Sequence, residues 1–194
     1  MTAKDRLRER LLDRRAGLAD ADVVAAEHPL CTHALAAVEA TGATRRVAAY
    51  LSVGREPSTW ALVDALRARG LEVLVPRALP RRQMAWALYE GRERLTLGRF
   101  DIPEPLGPDE PGGLSTVEVA LVPALAVDVA GFRLGRGGGY YDTALAAHPA
   151  VWRLALAYDH EVVDDVHPQD HDERVDLVVT PDRTLHLPPR PHPG

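Results

Sequence analysis

Apolar residues in the first forty positions recur at helical spacing. Residues 4–19 are rich in Leu, Arg, Glu and Ala, which favour helix, and Leu7, Leu11 and Leu18 fall on one stripe. A second helix is predicted over residues 20–40, begun by a cap at Asp20 and ended by a Thr-Gly pair. Pro29 is expected to bend or split this helix, because proline removes a backbone hydrogen bond.

Beyond residue 45 the pattern changes to short apolar runs. Residues 46–51 and 71–76 are predicted as buried strands on either side of a helix over 59–69. A strand, a helix and a strand with short connections are typical of a parallel sheet with a right-handed crossover. Further strands are predicted at 84–89, 117–123, 153–158 and 175–179, and a further helix at 140–147. The predicted fold is α/β, a mainly parallel sheet with helices on both faces, the two N-terminal helices packed against it and a ligand crevice at the carboxyl ends of the strands.

Length and composition indicate one domain. The 194 residues predict a single domain over 1–182 and a Pro-rich tail over 183–194, which we expect to be disordered. Residues 98–113 are dense in Pro and Gly and are predicted as an ordered or semi-ordered loop. With 46% hydrophobic and 26% charged residues, the composition excludes a disordered acidic chain and a membrane protein.

The net charge, the apolar stretches and the cysteine content limit the ligands, the location and the cross-links that the chain could have. The net charge of −5 argues against binding nucleic acid through a broad surface, so any phosphate must be held locally. No apolar stretch would serve as a signal peptide or membrane span, which makes the cytoplasm the expected location. The single cysteine, Cys31, excludes an intrachain disulfide and is predicted as a small buried residue. We expect small-molecule substrates, neither nucleic acid nor membrane as partner, and a monomer.

A glycine run carries the most informative chemistry. Four glycines stand in the five residues 135–139, and Arg133 and Arg136 flank them. Glycines allow positive φ and close approach to a ligand, and a helix begins directly afterwards, so the pattern predicts an anion site. Neither the P-loop ending nor the dinucleotide-binding spacing fits. The alternative for a bare glycine run is a flexible turn, but the arginines and the Tyr-Tyr-Asp at 140–142 favour a phosphate site.

This segment resembles the signature of the 5-formyltetrahydrofolate cyclo-ligases, also called methenyltetrahydrofolate synthetases. That signature has Arg-Leu-Gly, a glycine run and Tyr-Tyr-Asp, here at 133–135, 137–139 and 140–142. Further matches follow in order along nearly the whole chain: Lys4 and Arg8, Tyr50-Leu51-Ser52 with Glu56, Ile102-Pro103-Glu104-Pro105, and Asp172 with Val175-Asp176. The chain departs from the usual pattern at Asp101, Val127 and Thr143, and Thr143 could weaken a phosphate contact.

The resemblance implies a fold and a reaction. The fold would be that of the ribose-phosphate isomerase and CoA-transferase group. The reaction would close 5-formyltetrahydrofolate to 5,10-methenyltetrahydrofolate with ATP and Mg²⁺, through a phosphorylated formyl oxygen, and would release ADP and phosphate. The protein's task would then be positioning and charge neutralisation.

The resemblance also implies roles for individual residues. The catalytic residues would be Lys4, Arg136 and Tyr140. ATP would be bound by Lys4, Arg8, Arg133, Leu134, Gly135, Arg136, Gly137, Gly138, Gly139, Tyr140, Tyr141 and Asp142. The folate would be bound by Glu56, Tyr140 and Tyr141, and Mg²⁺ by Asp142 and Asp172. Trp86, on a predicted strand, is either a core residue or a wall for the flat pterin and is included among the folate-binding residues.

Other interpretations stay open from the residues alone. Lys4 and Arg8 could be solvated charges, Asp142 a helix cap and Asp172 part of a solvated loop, while Arg15 has no stronger claim than ordinary surface charge. One rival function is a sensor that binds folate or nucleotide without turnover. Another is a related enzyme acting on a sugar phosphate or CoA ester. The presence of all five groups, Lys4, Arg8, Glu56, Arg136 and Asp142, argues against the sensor.

Overall fold

The computed structural model describes residues 1–190. Its helices are α1 (Ala3–Ala16), α2 (Asp20–Ala40), α3 (Trp60–Ala68) and α4 (Tyr140–Ala146). Its strands are β1 (Arg46–Ala48), β2 (Glu72–Ala78), β3 (Met84–Leu88), β4 (Leu95–Leu97), β5 (Pro103–Pro105), β6 (Val119–Pro123), β7 (Ala126–Asp128), β8 (Arg133–Leu134), β9 (Trp152–Leu156), β10 (Val162–Val163), β11 (Leu177–Val179) and β12 (Thr184–His186). No helix in this part of the chain is long and apolar enough to cross a membrane.

Seven strands form the central sheet in the order β12-β11-β9-β6-β1-β2-β3. The five inner strands are parallel to one another, whereas the edge strands β3 and β12 pair antiparallel with β2 and β11. The inner strands are short apolar runs because both of their faces are buried. The mainly parallel sheet and the β1–α3–β2 unit predicted from the sequence are confirmed.

Helices cover both faces of this sheet. Alternating side chains of one strand point to opposite faces, so Val47 packs with α2 and α3 while Ala48 packs with Leu145 of α4. The predicted cover on both faces is therefore confirmed. The alternative of a split at Pro29 is wrong, since α2 runs unbroken past this residue, and the alternative of a bend there stays a prediction. Burial of Leu30 and Ala34 against the sheet offsets the hydrogen bond that proline removes.

Helix α1 packs elsewhere than expected. Its Leu7 and Leu11 pack with Leu125 and Leu134 beside a second, three-stranded sheet of order β10-β7-β8. Only α2 of the two N-terminal helices packs in the central core, and the expectation for α1 is wrong. The leucine stripe of α1 shows that the helix has a buried face but does not show which sheet covers it.

The C-terminal segment also differs from expectation. Strand β12 pairs antiparallel with β11, and the Arg190 side chain, 8% exposed, donates to Asp176 at 2.7 Å. The predicted disorder of the tail is therefore wrong for residues 183–190, because the segment pairs with strand β11 and with Asp176. Residues 191–194 lie outside the described part of the chain. The Pro- and Gly-rich stretch after Leu97 is ordered where β5 pairs with β4.

Candidate active site

Three connections meet at the carboxyl ends of adjacent parallel strands. One follows β1 and carries Glu56, and one follows β2 and spans residues 79–83. The third follows β6, forms the β7–β8 hairpin and continues into the glycine run, residues 135–139. Because β6, β1 and β2 are neighbours, these connections lie side by side, as expected for a ligand crevice in an open α/β sheet.

The backbone of the glycine run has the conformation that its composition predicts. Gly137 and Gly139 have φ values of 97° and 71°, which side chains rarely allow. A Cβ at Gly135 would lie 2.9 Å from Nη1 of Arg133. Helix α4 follows at once but has only seven residues, so attraction for an anion falls mainly to the cationic side chains around the run.

Arg136 and Glu56 join the glycine run to the connection after β1. Arg136 Nε lies 3.1 Å from Glu56 Oε1, and Glu56 Oε2 accepts a hydrogen bond of 3.0 Å from the Val53 N–H. The Glu56 side chain is 9% exposed, whereas that of Arg136 is 53% exposed. The carboxylate is thus held in place while the guanidinium remains open to a ligand.

Arg133 has a different environment from Arg136. Its side chain is 3% exposed; Nη2 donates to Asp142 Oδ1 at 2.7 Å and Nη1 to the Pro123 carbonyl at 3.1 Å. The prediction that the Arg133 side chain binds ATP is not supported by this burial, because both terminal nitrogens donate to protein acceptors. Arg133 instead positions Asp142. Leu134 is fully buried in the core beneath the run, so its side chain is likewise withdrawn from any ligand.

Helix α1 supplies the other two cations. Lys4 contacts Asp172, which also accepts a hydrogen bond of 2.6 Å from the Gln169 N–H. Burial acts to raise the pKa of Asp172, but the hydrogen bonds from Lys4 and Gln169 outweigh it and lower that pKa. Arg8 Nε donates to the Gly135 carbonyl at 3.1 Å, and its Nη1 pairs with Asp5 at 2.9 Å. Lys4 and Asp172, predicted to bind phosphate and metal, therefore neutralise each other here, whereas Arg8 is neutralised by Asp5.

The two tyrosines after the run differ in accessibility. Tyr140 donates to the Leu79 carbonyl at 3.2 Å and lies edge-on to Phe100, with ring centroids 6.3 Å apart. Phe100 is 63% exposed. The Tyr141 hydroxyl is buried without a hydrogen-bond partner in the described residues, and burial raises its pKa. Tyr140 with Phe100 therefore offers the accessible aromatic surface.

Trp86 belongs to the core. It is 5% exposed, packs with the cluster on the α4 face of the sheet and meets Tyr141 edge-on at 6.4 Å. This burial favours the core alternative for Trp86 over a wall for the pterin.

Comparison with known proteins identifies the family. A model described as the 5-formyltetrahydrofolate cyclo-ligase family matches residues 1–181. The chain belongs to the 5-formyltetrahydrofolate cyclo-ligase family. Among relatives of that name, the Mycolicibacterium smegmatis protein is 36% identical over 193 residues, 94% of this chain and 96% of its own. The Escherichia coli protein is 31% identical over 142 residues, 71% and 78% of the two chains. The predicted family and enzyme class are thereby confirmed.

Solved structures of methenyltetrahydrofolate synthetases share the cyclo-ligase fold. The NMR structure from Aquifex aeolicus has a TM-score of 0.78 at 24% identity and covers 98% of this chain and 95% of its own. The Mycoplasma pneumoniae structure has a TM-score of 0.73 at 18% identity and covers 93% and 99%. These likenesses concern the fold, and they confirm the predicted α/β class.

The cyclo-ligase site contains chemistry suited to a divalent cation shared with a ligand. Within residues 1–190 no three His, Cys, Asp or Glu side chains cluster as a metal cage. Mg²⁺ is commonly held by one or two carboxylates together with substrate phosphates. Asp142 uses Oδ1 for Arg133 and the Glu173 N–H, and among the described residues nothing hydrogen-bonds to its Oδ2. The residues present therefore fit Mg²⁺ held jointly with a phosphate.

Sequence reasoning missed two accessible side chains of this cyclo-ligase site. Phe100 stands two residues before the Ile-Pro-Glu-Pro match, and an aromatic beside that motif was the available signal. Arg82 lies against Gly139, where a Cβ would come within 3.4 Å of its Cδ and Nη1. No local pattern marked Arg82, because its approach to the run depends on the pairing of β1, β2 and β6.

Proposed function

We propose that this cyclo-ligase converts 5-formyltetrahydrofolate to 5,10-methenyltetrahydrofolate with ATP and releases ADP and phosphate. The contact that carries the proposal is the 3.1 Å pairing of Arg136 with Glu56. It brings together a cation of the glycine run and a held carboxylate from the neighbouring strand. A phosphate donor and a folate acceptor would therefore meet at this pair. Action as a cytoplasmic monomer stays a prediction.

The reaction requires a leaving group on the formyl carbon. The formyl oxygen attacks the γ-phosphorus of ATP, the bond to the β-phosphate oxygen breaks, and ADP leaves. N10 then attacks the formyl carbon and loses its proton, while the C–O bond breaks and phosphate departs. The protein's contribution is to align the two substrates and neutralise phosphate charge, since little covalent chemistry is left for side chains.

Folate binding is assigned to the open side of the site. Glu56 is fixed by the Val53 N–H and would accept hydrogen bonds from the pterin or orient the formyl group. Tyr140 and Phe100 present an edge-on aromatic pair, in which Phe100 is largely exposed and carries the Arg99 guanidinium over its ring. Tyr141 would support this surface from beneath rather than contact the folate through its buried hydroxyl.

Nucleotide binding is assigned to the glycine run and the cations around it. Gly137 and Gly138 are exposed and leave the backbone open to phosphate oxygens. Arg8 borders the run through Gly135, and Arg136 projects from it into solvent. Lys4 would exchange part of its contact with Asp172 for phosphate, since an ammonium group has three donors.

Asp142 would hold Mg²⁺, with Asp172 as a second carboxylate. When bound, the ion would supply neutralisation of the negative charge on the phosphates. Arg133 fixes Asp142 through Oδ1 and leaves the other carboxylate oxygen without a hydrogen-bond partner in the described residues.

The test is direct. Purified protein is mixed with MgATP and 5-formyltetrahydrofolate, and the ultraviolet absorbance of the methenyl product is followed. A rise that requires both substrates, accompanied by stoichiometric ADP, supports the proposal. Binding of both ligands without a rise would identify a sensor, and failure to bind the folate would indicate an enzyme for another anionic substrate; either result overturns the proposal.

A further inference from the structure

The connection between β2 and β3 is strained over the glycine run. Arg81 and Arg82 have φ values of 59° and 60°, two consecutive left-handed residues, neither of them glycine. Left-handed backbone is unfavourable for residues with a Cβ and persists only where the surroundings impose it. The hairpin turn itself holds the segment, through hydrogen bonds from the Gln83 N–H to the Pro80 carbonyl at 3.3 Å and from the Leu79 N–H to the Gln83 carbonyl at 2.9 Å. The Leu79 carbonyl also accepts the hydroxyl of Tyr140, the residue that follows the run.

This conformation places a guanidinium against the run. The three atoms nearest to a Cβ built on Gly139 all belong to Arg82, at 3.4 to 3.6 Å. At Gly137 the atoms nearest to such a Cβ are Nε and Cζ of Arg8, at 3.6 and 3.7 Å. Two arginines from separate parts of the chain therefore approach two glycines of one exposed run.

Arg82 differs from the other cations of the site in having no partner. Lys4 pairs with Asp172, Arg8 with Asp5, Arg133 with Asp142 and Arg136 with Glu56. No hydrogen bond or ion pair to another described residue holds the Arg82 side chain, and this residue is exposed. A strained backbone that positions an unpaired cation beside an exposed glycine run points to an anionic ligand.

We propose that Arg82 binds the phosphate chain of the nucleotide, at the Gly139 end of the glycine run. This inference rests on the proposed ATP-dependent reaction. It adds to the nucleotide-binding residues one from the connection between β2 and β3. Arg8 and Arg82 would contact the same triphosphate from the two places where they approach the run. Arginine suits this task because its planar donors match two phosphate oxygens at once.

Arg81 provides a matched control for this proposal. It has the same residue type, the same left-handed backbone and the same exposure, but the atoms nearest Gly139 are not its own. We expect Arg82→Gln to raise the KM for ATP about tenfold and to leave the KM for 5-formyltetrahydrofolate within about twofold. Arg81→Gln should change neither constant by more than about twofold, and Arg82→Lys should recover part of the loss.

Equilibrium binding distinguishes phosphate contact from a structural role. Calorimetry should show that Arg82→Gln weakens ATP binding but leaves AMP binding and the melting temperature unchanged, because AMP lacks the β- and γ-phosphates. Equal losses for ATP and AMP, or equal effects of the Arg81 and Arg82 variants, would overturn the inference. An active wild-type enzyme with an unchanged Arg82→Gln variant overturns the inference alone. An inactive wild-type enzyme overturns the proposed function, and normal ATP binding by Arg82→Gln would then overturn the inference separately.

Discussion

Two arginine–carboxylate pairs show how the same chemistry serves two purposes in this molecule. Arg15 and Glu161 form a bidentate pair at 2.6 and 2.8 Å, with side chains 5% and 0% exposed. Arg136 and Glu56 meet through one contact of 3.1 Å, with the arginine 53% exposed. The first pair is sealed between α1 and the segment before β10, whereas the second borders the exposed glycine run.

The two arginines differ in whether their hydrogen-bond donors are free to bind a ligand. Arg15 also donates to the buried Ala124 carbonyl, so its donors are committed to protein acceptors. Burial acts against its charge, but the hydrogen bond and charge of Glu161 outweigh this and raise the pKa of Arg15. Arg136 has donors facing solvent and can accept a ligand without leaving a buried group unpaired. The sealed pair therefore fixes α1 in place, and the open pair is available for binding.

The largest expected effect is at the sealed pair. Glu161→Gln should lower the free energy of unfolding by about 3–5 kcal/mol, because it leaves the Arg15 charge buried without a counter-charge. Urea unfolding measures this loss, and the activity of the folded fraction should stay within about twofold of wild type. Glu39→Gln, which breaks the exposed pair with Arg69, is the control and should cost less than about 1 kcal/mol. Equal losses in the two variants would mean that burial does not distinguish these pairs.

The intermediate case is Arg133 with Asp142, where the arginine is sealed and the carboxylate is 17% exposed. Asp142→Asn should reduce turnover at least about 100-fold, equivalent to about 2.7 kcal/mol, and raise the Mg²⁺ concentration that gives half-maximal rate. Stability should fall by about 1–2 kcal/mol, less than at Glu161, because Asp142 pairs with Arg133 through a single hydrogen bond and is itself partly exposed.

Asp176→Asn is the matched control for Asp142→Asn. Asp176 pairs with Arg190 at the same 2.7 Å and is 12% exposed, but it lies in the C-terminal part of the fold. The Asp176→Asn variant should lose about as much unfolding free energy as Asp142→Asn, and the dependence of its rate on Mg²⁺ concentration should be unchanged. A normal Mg²⁺ requirement in Asp142→Asn would remove this carboxylate from the metal site.

These pairs also show which parts of the structure could be predicted from the sequence. The glycine run was predictable because the conformations of Gly137 and Gly139 follow from the absence of a side chain. The inner strands were predictable because burial on both faces requires continuous apolar runs. Both signals are local and need no knowledge of a distant partner.

Predictions failed where a partner lies far along the chain. Arg15 was interpreted as ordinary surface charge, but its partner Glu161 is 146 positions away. Strand β12 was missed because the high proline content obscured a three-residue strand that pairs with the edge of an existing sheet. The exposure of Arg133 and Trp86 depends on how α4 covers the sheet, so residue type alone could not indicate it.

The smallest of the three effects is expected at the open pair. Glu56→Gln should change stability by less than about 1 kcal/mol, because the Arg136 charge that loses its partner is 53% exposed and stays solvated. The KM for 5-formyltetrahydrofolate should rise about tenfold, equivalent to about 1.4 kcal/mol, since glutamine keeps one acceptor but loses the charge that holds Arg136. The KM for ATP should stay within about twofold, the reverse of the pattern expected for Arg82→Gln. Initial rates measured with each substrate varied in turn separate the two constants. A rise confined to the KM for ATP would place Glu56 on the nucleotide side, and the division between folate and nucleotide residues would have to be redrawn.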